Sequence, residues 1–112
     1  MNSNEMAQLA VKVLDEKKAK DIKALKVSEL TVITDYFIIA SGGSSTQVRA
    51  LCDELEKVFS EKGVLPKHIE GMQSLSWVLM DFGDVIVHIF NDETREFYGI
   101  ERLWQDAEEM KL

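Results

Sequence analysis

Apolar residues recur along this chain in two rhythms, and the switches between them mark out its elements. Met6, Leu9, Ala10, Val13 and Leu14 follow the spacing of one helical face behind Asn2 or Ser3 as a cap. A first helix is therefore expected up to the charged run Asp15-Glu16-Lys17-Lys18. Asp21 to Val27 reads as a modest strand carried by Ile22, Leu25 and Val27. Thr34 to Ser41 is a stronger one, because its apolar residues sit side by side, the pattern of a strand covered on both faces. Gly42-Gly43-Ser44-Ser45 then turns into a second helix, with Ser44 and Gln47 at capping-box spacing. Val48, Leu51, Cys52, Leu55, Val58 and Phe59 form its apolar stripe, and Arg49, Asp53, Glu54, Glu56 and Lys57 face water. Gly63 is placed to end that helix in a left-handed conformation, with Pro66 soon after.

Three strands are predicted next: Lys67 to Glu70, Ser76 to Phe82 and Val85 to Phe90. The Gly83-Asp84 turn makes the last two an antiparallel hairpin. The second and third strands, separated by a full helix, are expected to be parallel through a right-handed crossover. A short helix from Asp92 or Glu93 closes the chain, with a break expected at Gly99 and fraying from Ala107 to Leu112. The order α-β-β-α-β-β-β-α predicts a mixed α/β fold of about five strands in one sheet with helices on its faces. The absence of repeats or linkers makes residues 1–112 a single domain.

Charge narrows the partners. Against 13 basic side chains stand 20 acidic ones, a net charge of -7. A surface of that sign repels phosphates, so little or no direct nucleic-acid binding is expected; a basic protein partner fits, as does bare solubility. Cys52 is the only cysteine, which rules out an intramolecular disulfide and suits a reducing, cytoplasmic setting. No signal-like leader and no membrane-length apolar run is visible, so no membrane association is expected.

Catalytic chemistry finds little support. The Gly42 to Ser45 loop between a strand and a helix could cradle a phosphate, but it lacks the lysine of a Walker motif and the glycine spacing of a dinucleotide fingerprint. A strand-Gly-Ser-helix unit is similar to the nucleotidyltransferases, whose metal ions need paired carboxylates on a neighbouring strand. Asp53 and Glu54 point different ways from one helix, and Asp81 and Asp84 flank a turn. His68 and His88 lack partners that would make either a metal ligand or a general base. Neither a metal nor a cofactor is expected. Trp77 and Tyr98, with Met72 and Met80 nearby and Asp81, Glu93, Glu96 and Glu101 around them, instead suggest an aromatic anchor with an acidic rim, suited to a basic protein.

Asp35-Tyr36-Phe37-Ile38-Ile39-Ala40-Ser41-Gly42, Gln47 to Leu51, Gly71 leading to Trp77, Asp81 to Phe90, and Glu96-Phe97-Tyr98 through Trp104 together resemble the ribosomal silencing factor, or Iojap-like, family. The similarity runs in order from about Met6 to Trp104. It implies a nucleotidyltransferase-like fold without the catalytic carboxylates. It also implies binding to large-subunit ribosomal protein fourteen and steric blocking of small-subunit joining, which lowers translation when nutrients are scarce. The surface implied is the tryptophan-led strand with the nearby tyrosine: here Trp77, Val78, Met80 and Asp81, with Met72 and Tyr98. Homodimers occur in the family, and organelle relatives take part in large-subunit assembly. The alternatives are thus an assembly factor or, from another class, a nucleotidyl-transfer enzyme.

Overall fold

A computed structural model describes residues 1–112. The elements are α1 (Ser3–Glu16), β1 (Lys20–Lys26), β2 (Tyr36–Gly42), α2 (Ser45–Glu61), β3 (His68–Glu70), β4 (Trp77–Asp81), β5 (Val85–Asn91), α3 (Asp92–Tyr98), α4 (Ile100–Leu103) and β6 (Glu108–Glu109). They form one sheet in the order β3-β4-β5-β2-β1-β6. Only β2 and β5 are parallel neighbours; the other pairs are antiparallel. Every residue of β2 is buried, as its unbroken apolar run requires.

Caps fix where the helices begin and end. The Glu5 N–H donates to Asn2 Oδ1 at 2.8 Å, and the Asn2 N–H donates to Glu5 Oε1 at 3.0 Å, closing a reciprocal box at α1. Asn2→Ala should therefore cost about 1 kcal/mol of stability, read as a fall of a few degrees in Tm. At α2 the box expected from Ser44 and Gln47 is only half formed. Ser44 Oγ accepts the Gln47 N–H at 3.1 Å, but the Gln47 side chain reaches past Ser44. It takes the Gly43 N–H at 2.6 Å and donates to the Lys18 carbonyl at 3.1 Å, tying the turn to the end of α1. Past the other end of α2, Gly63 (φ +78) and Val64 donate to the carbonyls of Ser60 and Phe59, the hydrogen bonds of a Schellman motif.

Two cores lie on opposite faces of the sheet. The larger joins Met6, Ala10 and Leu14 of α1 and Leu51, Leu55 and Phe59 of α2 to Ile38, Val78, Met80, Val87 and Ile89. The smaller comprises Leu25, Val27, Phe37, Ile39, Ile86, Phe90 and Ile100, flanked by Trp77, Leu79 and Trp104. Helices α1 and α2 cover the first face; the C-terminal segment alone packs on the second. Cys52 belongs to the larger core, where burial, reinforced by Asp53, pushes its thiol up to about 12.

Two expectations need correction. The sheet has six strands, because Glu108–Glu109, inside the segment expected to fray, pairs with Leu25 and Lys26. A Met110 N–H to Ala24 carbonyl bond (2.8 Å) and a Lys23–Glu109 ion pair (3.8 Å) extend that contact. Two glutamates carry no strand preference of their own; the open edge of β1 supplies it. Furthermore, β2 and β3 run the same way but are not neighbours, since β4 and β5 lie between them. The strand that joins β2 in parallel is β5. No helix is long and apolar enough to cross a membrane.

Candidate functional site: an aromatic face on the thinly covered side of the sheet

Strand alternation divides β4. Trp77, Leu79 and Asp81 point toward the smaller core, Val78 and Met80 toward α1 and α2. The hairpin register sets Trp77 opposite Phe90, and the indole stacks on that ring with centroids 5.0 Å apart and planes at 28°. Gly83 (φ +90) opens the turn that fixes this register.

Tyr98 reaches the same spot from α3. Asn91 caps α3 directly after β5, its Oδ1 accepting the Thr94 N–H at 2.8 Å, so the chain doubles back over the strand. Arg95, almost wholly buried, pins α3 and α4 down: its Nη1 donates to Ser41 Oγ at 2.9 Å and its Nε to Glu101 at 3.3 Å. Gly99 (φ +51) breaks the helix. The Tyr98 ring thereby stands 5.0 Å from Trp77, and Phe97 meets Tyr98 edge-on at 5.0 Å. Trp77 is half-buried, Tyr98 is 52% exposed and Phe97 79%. Glu93 and Glu96 are exposed on the same short helix.

Of the six residues expected at the site, this geometry brings together Trp77 and Tyr98. Asp81 shares their side of the strand but lies about 13 Å along it. There it accepts the Gly83 N–H at 2.8 Å and faces His68 at 3.6 Å, a turn-holding role. Val78 and Met80 are fully buried on the far side and cannot touch a partner, because neighbours along a strand alternate between its two faces. Met72, partly buried, packs against the same far core. Phe97, in edge-on contact with Tyr98, was missed. The available signal was the Phe97-Tyr98 pair, since two adjacent aromatics on a one-sided helix cannot both face inward.

Behind the indole sits His88. The Trp77 Nε1–H donates to His88 Nδ1 at 3.1 Å, and Phe37 meets the imidazole edge-on at 5.1 Å. Burial pushes the His88 pKa from 6.5 down to about 4. Between those values the unfolded chain holds the extra proton, so stability is full above pH 6.5, falls on acidification and levels off below about 4. The slope contributed is up to about 1.4 kcal/mol per pH unit. His88→Phe should remove that increment, measured by denaturant titration at pH 7, 5.5 and 4; parallel curves for the two proteins would refute it.

The glycine loop is occupied by packing. A Cβ on Gly42 would come within 2.9 Å of Val48, so the glycine lets α2 lie close on β2. A polar hollow of about 450 Å³ lies at the carboxyl ends of β2 and β5, where α/β folds place ligands. Its Lys20 pairs with Asp92 at 2.6 Å and its Arg95 with Glu101, so two of its cations are answered from within. No cluster of three or more His, Cys, Asp or Glu side chains is arranged to hold a metal.

The family model described as "Ribosomal silencing factor during starvation" matches residues 1–112. The chain belongs to the ribosomal silencing factor family. A ribosomal silencing factor RsfS of Halalkalibacterium halodurans is 43% identical over 112 residues, covering 100% of this chain and 96% of the relative. The mouse protein named "Mitochondrial assembly of ribosomal large subunit protein 1" is 33% identical over 99 residues, which span 43% of its length. Among solved structures, a Chromobacterium violaceum protein superposes with a TM-score of 0.91 at 40% identity, covering 94% of this chain and 88% of that one. A Bacillus halodurans protein gives 0.86 at 40% identity over 97% and 99%.

Proposed function

We propose that this protein docks on the large ribosomal subunit through the Trp77–Tyr98 face and stops the small subunit from joining. The partner fitted to that face is the basic large-subunit ribosomal protein fourteen, and the setting is the cytoplasm. The observation that carries the reading is the exposed aromatic cluster of Trp77, Phe97 and Tyr98 beside Glu93 and Glu96. Large rings anchor interfaces when they fill a partner's pocket, and the acidic rim suits a basic one. Membership of a family of ribosomal silencing factors supports the same target. The mechanism is steric: a body of 33 × 33 × 24 Å on the joining face keeps two large surfaces out of contact, and no bond needs to be made or broken.

Retention of the protein on purified large subunits, followed by a small-subunit joining assay, tests this directly. Retention with unimpaired joining would refute the steric mechanism. With a net charge of -7, association should slow as salt rises while dissociation changes little; an on-rate indifferent to ionic strength would remove electrostatic steering.

A second reading, large-subunit assembly, is favoured by the name of the mouse relative. Immature large particles in depleted cells would support it, whereas surplus joined ribosomes under starvation support silencing. Two of the polar hollow's three cations, Lys20 and Arg95, are paired from within, which weighs against nucleotidyl transfer. Calorimetric binding of a nucleoside triphosphate with magnesium would reverse that judgement.

A further inference from the structure

Packing alone gives no reason for a histidine at position 88. Its side chain is 5% exposed, edge-on to Phe37, with Trp77 and Phe90 at ring distances of 6.0 and 6.3 Å. An apolar ring would fill that space without burying two nitrogens. The imidazole leaves Nε2 with no hydrogen-bond partner among the protein's own groups. Its tautomer is dictated by its neighbour, since an indole N–H can only donate. Nδ1, 3.1 Å from Trp77 Nε1, must therefore be the accepting nitrogen, and Nε2 carries the proton. A buried donor without an acceptor lowers stability, and such groups call for an explanation beyond packing. The one thing this ring supplies that a phenyl ring would not is an acceptor beneath the indole.

We infer that His88 is a positioning residue for the docking face: its Nδ1 holds the Trp77 indole by its only polar atom and turns that N–H inward. The inference rests on the docking role proposed for Trp77. Stacking on Phe90 sets the plane of the indole but leaves open which edge points outward; the hydrogen bond to His88 selects one. A ring fixed before contact has less freedom to lose on binding. With its N–H engaged internally, Trp77 offers a partner only π-face and hydrocarbon edge. Those suit a guanidinium, an ammonium or an aliphatic stem rather than a carbonyl in search of a donor.

Two substitutions and one measurement on the unmodified protein test this. His88→Leu removes the acceptor while keeping an apolar filler; His88→Asn returns an oxygen close to the place of Nδ1. His88→Leu should bind purified large subunits about tenfold more weakly, the worth of one hydrogen bond, and His88→Asn should recover most of that loss. The NMR resonance of the Trp77 indole proton should move in the Leu variant and return toward its original position in the Asn variant. Long-range proton–nitrogen correlation on the unmodified protein should find the His88 proton on Nε2. Wild-type affinity in His88→Leu would overturn the inference, as would equal losses in both variants. So would a proton on Nδ1, a result that stands even if His88→Leu fails to fold. Trp77→Ala separates the two layers. If it binds normally, the docking reading itself fails; if it binds weakly and His88→Leu normally, only the positioning role is lost.

Discussion

Trp77→Ala should weaken binding to isolated large subunits by about 2 kcal/mol or more, roughly a thirtyfold rise in Kd. Three losses add. The truncation removes the anchoring ring, uncovers the face of Phe90 on which it stacks, and leaves His88 Nδ1 without a donor. Tyr98, 5.0 Å away, also loses its neighbour and with it a fixed position. The fold should survive, because Trp77 is half-buried at the margin of the smaller core and the larger core is untouched. Circular dichroism and thermal melting provide that control. A folded variant that co-sediments with large subunits as well as the parent would sink the docking face.

Gly71→Ala should act through the backbone and cost about 3 kcal/mol or more, within the range reserved for strain and overpacking. Gly71 has φ +93, and a Cβ there would overlap the carbonyl oxygen of Trp77 itself. Backbone cannot step aside as a side-chain tip can, so the first residue of β4 must move. Gly63→Ala is the matched control: its φ is +78, but its Cβ would meet nothing within 4 Å. It should therefore pay the conformational penalty alone, about 1 kcal/mol. Equal losses at the two positions, measured by denaturant unfolding, would show that the overlap is relieved at no cost. Large-subunit affinity of any folded Gly71→Ala protein should also fall, because the indole is carried by the displaced residue.

The helices and the hairpin were legible in the sequence because their signals are local. An Asn2 or Ser3 cap, Ser44, Gly63 and Gly83-Asp84 each act within a few residues of themselves, and the observed boundaries follow them, with Asn2 as the cap and Glu5 as a reciprocal partner that the sequence reading did not name. The edge strand β6 was not legible, since Glu108 and Glu109 become a strand only where β1 offers unpaired hydrogen-bonding groups. Nor was the neighbour of β2, because a crossover fixes direction without fixing how many strands it skips. The site was half legible. Once the Gly83-Asp84 turn is accepted, counting outward pairs Trp77 with Phe90 and Leu79 with His88, which predicts the aromatic stack. The same count assigns Val78 and Met80 to the opposite face, a conclusion that period-two alternation already contained. What no count could supply was Tyr98 above Trp77, which depends on Asn91 turning the chain and on Arg95 reaching Ser41, far away in sequence.

The sealed position of Cys52 makes the molecule convenient to instrument. A thiol raised to about 12 remains protonated near neutrality, so maleimide dyes should pass it by and the native residue can stay. Glu109→Cys, on the outermost strand four steps and about 19 Å from β4, would then give a lone reactive handle for a fluorophore, remote from the surface whose encounters it would report.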